Sequence, residues 1–492
     1  MTAVGAARVA SRRGVIRAGR VAGLSLLLAG PVALAFFSGG YFDEPRLWAA
    51  AVAWALVLVA ALAAPVPLPR SMAGRLAVGG LALLAGWEAL SERWAPLADV
   101  ARHDAQRVVL YVGALVAAAA LVRGRRAVRG AELAVAAGSL VVVGYGLSER
   151  LLPGLLHFHR GMAAGGRLEQ PLTYWNAMGL VAAIGVVLCA RVAADPERPR
   201  GTAAAAAGAA VPLSVGVLLS FSRGALAALA VGLLVLLAVD PRAAQLRVIV
   251  AVVVLGGVAA VAGDLMPGIR ALEGSLGARE LEGAVMLGVV GLLAVFAAAV
   301  AGRVRQLGGE QPVLARHRRV IPVAVLVLCL ATVGLGGAIE HPPGAQNPGF
   351  GATTSRLGSI QSNRYEYWRV AISQFARHPL IGAGSGAFRV AWLRHRTVED
   401  PALNAHSLYL ETAAELGLIG LALLAAVAGG LMGAARRAYR RRPALAAGSL
   451  AVLSVYALHA GIDWDWQMPA VTLPVLVLAG ALIGLADDPA EA

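Results

Sequence analysis

The sequence contains no lysine: all 43 of its basic residues are arginine. It has two cysteines in 492 residues, Cys189 and Cys329, each inside an apolar run. That placement argues against a disulfide framework or a zinc cluster and leaves packing as the simplest role. Charge is scarce as well. Charged residues make up 14% of the chain against 59% hydrophobic, with a mean hydropathy of +0.72. A soluble globule needs a polar skin that this composition cannot supply, so three soluble domains, the prior from length alone, are excluded. The net charge of +15 does not indicate nucleic-acid binding. The arginines form short clusters between apolar runs rather than a continuous basic face, which is the positive-inside pattern of a membrane protein.

What the sequence has in quantity is long apolar stretches. A hydrocarbon core of roughly 30 Å needs about 20 apolar residues per helix. Runs near that length fall at 21–37, 47–64, 74–90, 107–122, 131–147, 174–190, 203–220, 224–240, 247–265, 282–302, 319–337, 408–433, 444–462 and 469–485. The expected fold is an all-α integral membrane protein of about fourteen transmembrane helices (twelve to fourteen). Ser11-Arg12-Arg13 ahead of the first run has the look of a secretion signal, but 21–37 reads more simply as a first span held by basic residues on its cytoplasmic side. Counting Arg on alternate sides gives 26 on one side and 17 on the other, seven of the 17 in a single long loop. The short loops thus divide 26 to 10, which predicts cytoplasmic termini. The expected organisation is a basic N-terminus (1–20), spans 1–11 (21–337), an extracytoplasmic loop (338–407), spans 12–14 (408–485) and a cytoplasmic tail (486–492).

The long loop is too polar to span and too long for idle connection, so a functional role is expected of it. Arg364–Arg377 has helical spacing, with Trp368, Ile372 and Phe375 on one stripe, which suits either a surface helix or a cap on the bundle. Gly382-Ala383-Gly384-Ser385-Gly386 then breaks the helix and permits close backbone approach or, less often, phosphate binding. Four further outward features are polar. These are Gly166-Arg167-Leu168-Glu169-Gln170-Pro171-Leu172-Thr173-Tyr174-Trp175-Asn176, the corner Ser220-Phe221-Ser222-Arg223-Gly224, Asn404-Ala405-His406-Ser407 ahead of Tyr409 and Glu411, and His459-Ala460-Gly461-Ile462-Asp463-Trp464-Asp465-Trp466. Arg223 at a tight corner either anchors to headgroups or binds an anion, for which a planar, permanently charged guanidinium is well suited. His406 is either a polar boundary residue or a base titrating near neutrality. The carboxylates of the last corner either orient a His or Arg or are simply solvated.

Taken together, these motifs resemble the O-antigen ligase family. The resemblance is carried by the Ser-Phe-Ser-Arg-Gly corner and by Gly-Arg-Leu…Pro…Asn leading into a span. It continues through Arg364…Trp368, His378-Pro379-Leu380-Ile381-Gly382-Ala383-Gly384, Phe388, Asn404-Ala405-His406-Ser407-Leu408-Tyr409 and Glu415-Leu416-Gly417-Leu418-Ile419-Gly420. It covers roughly 165–240 and 355–480. The family often has His-Asn where this chain has His406-Ser407, so no amide role is carried over. The resemblance implies a glycosyltransferase-C-like bundle in the cytoplasmic membrane, with a large extracytoplasmic loop between spans 11 and 12. The implied enzyme is a metal-independent, cofactor-free transferase of cell-envelope polysaccharide biosynthesis. It would pass a glycan from a polyprenyl (undecaprenyl) diphosphate donor to a hydroxyl of a lipid, glycan or protein acceptor, as a ligase or as a polymerase of the same superfamily. Carried over residue by residue, His406 is the acceptor-activating base, and Arg223, Arg167 and Arg364 bind the donor diphosphate. Ser222, Asn176, Asn404, Tyr409 and Asp463 support them. A secondary transporter is the alternative from another class; it would place ionisable groups near the bilayer midplane. A non-catalytic partner of an envelope assembly system is the third reading.

Overall fold

A computed structural model of the chain describes residues 3–308, 351–352 and 362–488. No strand occurs among the described residues. The helices are α1 (Ala3–Ala35), α2 (Asp43–Ala63), α3 (Met72–Ser91), α4 (Ala98–Leu121), α5 (Gly124–Leu151), α6 (Trp175–Ala194), α7 (Arg200–Leu219), α8 (Arg223–Val239), α9 (Ala243–Asp264), the short α10 (Pro267–Arg270) and α11 (Leu276–Gln306). After the expected eleventh span, 319–337, which lies outside the described residues, come α12 (Arg364–Arg377), α13 (Ala387–His395), α14 (Leu408–Arg441), α15 (Pro443–Ala460) and α16 (Pro469–Asp487). Among the described residues twelve helices are long and apolar enough to cross a membrane. Helix α8, at 17 residues, meets the lower end of the spanning range.

Several helices outrun their apolar runs. The apolar reading begins the fourth span at 107, yet α4 starts at Ala98; it gives 131–147 for the fifth, yet α5 covers Gly124–Leu151. The extra turns carry charged residues that partner one another instead of meeting lipid, as Arg107 does with Asp104 at 2.9 Å. Hydropathy alone cannot register such turns.

Helix α6 is the centre of the bundle, its most apolar stretch wholly enclosed, whereas α11 lies at the periphery. Small residues let helix backbones approach closely at several crossings, as where Gly480 meets Ala118 and Gly430 meets Ala77. No hydrophobic contrast with lipid tails drives association there. Cys189 sits buried in α6, as a packing residue.

Successive connections alternate between two ends of the bundle. One end holds ion pairs that lock the termini and short loops: Arg123–Asp488 at 2.9 Å, Arg198–Glu132 at 2.8 Å and Arg129–Asp195 at 3.3 Å. The other end gathers the segments before α6, between α7 and α8, between α15 and α16, and the described part of the long loop. Helix α12 packs there through Tyr367, Val370, Ala371 and Gln374, while Ile372 of the sequence-derived stripe is exposed. The helix bounds match the sequence reading, but the buried face is rotated toward the tyrosine side.

Candidate functional site

The site is built around a break in α14. Gly417 has φ +66° and ψ −161°, which divides that helix in two. A break strands backbone donors and acceptors at membrane depth, where each orphan is costly. Segment 379–384 supplies their partners. Leu418 N–H donates to Pro379 O (2.8 Å) and Ile419 N–H to Leu380 O (3.2 Å), while Ala414 O and Glu415 O accept from Ala383 (3.0 Å) and Gly384 (2.8 Å). This approach requires glycine. A Cβ on Gly382, at φ +73°, would lie 2.2 Å from Glu415 O. The glycine run therefore serves as a backbone wedge.

The wedge fixes the first half of α14, and so the residue just ahead of it. Ser407 caps the helix, its side chain accepting from Leu410 N–H at 3.4 Å. Glu411 reaches back, accepting from Asn404 Nδ2 (3.1 Å), Ala405 N–H (2.7 Å) and Gln467 Nε2 (2.9 Å). Between these holds His406 adopts a left-handed backbone, φ +50°. Non-glycine residues take that conformation at a cost of about 1–3 kcal/mol, and such strain gathers at functional sites. Thr173 (φ +62°) and Phe221 (φ +48°) do the same in two other motifs of this end.

The partly buried His406 ring packs against Tyr367 (centroids 4.8 Å) and faces Trp464 (6.5 Å). Its Nδ1 lies 3.1 Å from Asn404 O. A carbonyl can only accept, so Nδ1 carries the proton and Nε2 keeps its lone pair. Burial lowers the imidazole pKa, Asp463 raises it and Arg364 lowers it; the net direction is down, favouring the neutral base.

Asp463 is the hub of the polar network. Its carboxylate accepts from Tyr174 Oη (2.7 Å), Asn176 Nδ2 (2.8 Å) and Trp464 N–H (2.9 Å), and it is ion-paired with Arg364. Burial pushes this carboxyl up, but its neighbours, the Arg364 guanidinium foremost, outweigh that and hold the pKa below the usual value. Beneath it lies a second enclosed pair, His459 Nδ1 to Asp465 Oδ2 at 2.6 Å. The partly buried Arg223 opens α8 beside Arg364 and Tyr365, close enough for mutual electrostatic interaction. Two guanidiniums side by side repel, and an anion between them would offset that repulsion.

The other sequence candidates take structural posts. Arg167 donates to Ala164 O (2.6 Å) and Ala163 O (2.7 Å) and stacks over Trp175 at 3.6 Å, one aromatic side chain away from Tyr174. Ser222 caps α8, accepting from Ala225 N–H at 3.2 Å. Tyr409 donates to Ala457 O at 2.7 Å. Two groups lay beyond the sequence reading, Tyr367 and Asp400, which accepts from Tyr367 Oη at 2.5 Å; Tyr174 and the His459–Asp465 pair stood in quoted motifs without an assigned role. That pair had a visible signal, a His and two Asp within seven residues of an interfacial corner. No group of three or more His, Cys, Asp or Glu among the described residues is placed to hold a metal ion.

The fold and this cluster define a multi-pass α-helical membrane protein with a polar site at one end of the bundle. Residues 282–425 match the family model described as O-Antigen ligase, which includes α12, α13, the glycine wedge, His406 and the α14 break. The matched segment is similar to that family, in line with the resemblance of the motifs, while the Arg223 corner and Asp463 lie outside it. No curated protein matches the chain.

Proposed function

We propose that the protein is a glycosyltransferase of the extracytoplasmic membrane face, moving a glycan from a polyprenyl diphosphate to an acceptor hydroxyl. The observation that carries this reading is the geometry at His406. A neutral imidazole with its Nε2 lone pair unbonded among the described residues shares an electrostatic neighbourhood with Arg364, Asp463 and Arg223.

In this reaction the acceptor oxygen attacks the anomeric carbon and the bond from that carbon to the diphosphate oxygen breaks. The acceptor proton passes to His406 Nε2. The diphosphate leaves with the electron pair, and its growing negative charge is met by Arg223 and Arg364, fixed where water is scarce. Asp463 is a positioning residue: it holds Arg364 and biases the imidazole without touching substrate. Arg167 braces the Trp175–Tyr174 side of the network. Ligase and polymerase differ only in the acceptor, which is a hydroxyl of a lipid, protein or second glycan. The transporter reading draws on the buried charges within helices, such as Arg107, Glu132 and Glu415, but others sit at helix ends. Glu88 lies in the last turn of α3, and Asp195 with Arg198 follows α6.

The test is transfer of a labelled glycan from a polyprenyl diphosphate donor in membranes bearing His406→Ala. Normal transfer by that variant would rule out the base assignment. Arg223→Ala should weaken donor binding about tenfold or more, and unchanged donor affinity would remove the diphosphate clamp.

A further inference from the structure

Away from this site, α1, α2, α4 and α16 enclose an apolar trough of about 480 Å³, lined among others by Leu26, Phe37, Trp48, Val52, Leu110 and Val477. At its end lies a polar pocket of about 270 Å³ containing Arg46, Arg107 and Arg389. The two volumes follow each other along the same elements. On α4, Val100, His103, Asp104 and Arg107 line the pocket and Leu110 and Ala114 the trough. At the start of α2 the two volumes meet, Asp43 and Arg46 lining the pocket and Glu44 and Pro45 the trough, which continues along Trp48 and Val52; likewise Gln467 gives way to Leu473 and Val477.

One of the pocket's three guanidiniums is left without a partner among the described residues. Arg46 pairs with Asp43 at 2.6 Å and Arg107 with Asp104 at 2.9 Å, whereas Arg389 has no ion-pair or hydrogen-bond partner among the described residues. The Nε–H groups of all three guanidiniums are buried and unbonded. Arg46 and Arg107 are themselves more than nine-tenths buried. Those Nε–H groups are enclosed by protein, so it is the unpaired charge of Arg389 at the pocket that a ligand made of acceptors would meet. His103 is occupied with Asp43 at 3.3 Å, and the exposed Glu44 stands at the rim of the trough. Three guanidiniums thus face two carboxylates at the head of an apolar channel.

We propose that this is a second ligand site, separate from Arg223 and Arg364, for a lipid with a phosphate-bearing head and one apolar chain. The chain lies in the trough and the head meets Arg389, Arg46 and Arg107. Asn404, two residues before His406, lines the same pocket. A lipid held there stands beside the base, in the position of a membrane-anchored acceptor. That role rests on the proposed function; the binding does not.

The test uses the full chain in phosphatidylcholine nanodiscs, with p-benzoylphenylalanine at Val52 and labelled farnesyl diphosphate as the probe. Photolabelling at this position is expected to fall about tenfold in Arg389→Ala, to recover in part in Arg389→Lys, and to be lost in Ala33→Trp, which fills the trough from an exposed position. Unlabelled farnesyl diphosphate should compete; farnesol and inorganic pyrophosphate should not. Labelling indifferent to Arg389→Ala, or equal competition by farnesol, would overturn the anion site. Equal competition by pyrophosphate would make it a free-anion pocket, and loss of labelling when a third of the lipid is phosphatidylglycerol would make it a bulk-lipid contact; either overturns the proposal. Labelling should persist in His406→Ala, so failure of the transferase reading and failure of this one are distinguishable.

Discussion

At the residue scale, the site depends on how two groups are held. A general base contributes about 10²–10⁴-fold, so His406→Ala should lower the transfer rate by that range with donor affinity little changed. The pH profile follows from the sign of the shift. The base works deprotonated, so activity is present above its pKa and lost as pH falls through it. Because burial lowers that pKa, the acid limb of kcat/KM should lie below the ordinary imidazole value of about 6.5. A limb at or above that value would contradict the surroundings described for the ring. Arg364 and Asp463 test the other half. Removing one partner of a buried pair costs about 3–5 kcal/mol, so Arg364→Ala should lower thermal stability as well as activity. Arg364→Lys should recover stability better than turnover, because lysine keeps the charge but not the planar fork. A variant with both stability and turnover intact would show that Arg364 neither supports Asp463 nor meets the donor. His406, Arg223 and Arg364 were legible in sequence because the motifs containing them are distinctive against an Ala/Val/Leu background. Asp463 was visible only as one of two carboxylates. What separates it from Asp465 is a set of partners drawn from residues 174, 176 and 364, and no local pattern encodes that convergence.

At the scale of elements, the controlling feature is the wedge of residues 379–384 in the broken α14. The sequence marks the glycines and permits close approach, but it reads 408–433 as one continuous span, since apolarity is unchanged through Gly417. The break exists only because a segment some 35 residues upstream supplies its hydrogen bonds. Gly382→Ala is therefore a sharp test. It places a side chain at positive φ and 2.2 Å from a carbonyl oxygen, with a strain cost of about 1–3 kcal/mol before any clash. The melting temperature in detergent should fall, and transfer should fall further than stability alone requires, because the start of α14 carries His406. A substitution at the exposed Gly429, which has open space around it, is the control and should be tolerated. Equal effects at the two positions would mean that the wedge does not set the site. The amphipathic stripe on α12 teaches the same lesson from the other direction. Helical period predicts that helix, but the choice between Ile372 and Tyr367 as the buried residue is made by His406 and Trp392, which lie against the tyrosine ring.

At the scale of the whole molecule, the question is which way the bundle faces. Alternation of helix ends follows directly from the apolar runs, and the division of short-loop arginines at 26 to 10 turns it into a proposed orientation. The ion pairs of the arginine-rich end qualify that count in one respect. Arg123, Arg129 and Arg198 are engaged with Asp488, Asp195 and Glu132, so their charge is partly neutralised in the folded state. The rule acts during insertion, before those pairs form, and so the count of Arg retains its force. Single cysteines make the orientation measurable. With Cys189 and Cys329 replaced by alanine, Glu399→Cys reports the end that holds the site and Arg437→Cys the opposite end; both positions are exposed. A membrane-impermeant maleimide added to intact cells should label the first and reach the second only after permeabilisation. The reverse pattern would turn the site toward the cytoplasm, where a nucleotide-activated sugar is the natural donor. It would sink the lipid-diphosphate reading while leaving the family resemblance untouched. Because the arginine pair and the imidazole sit at the same end whichever way it faces, this one measurement decides the class of donor independently of any variant that impairs the chemistry.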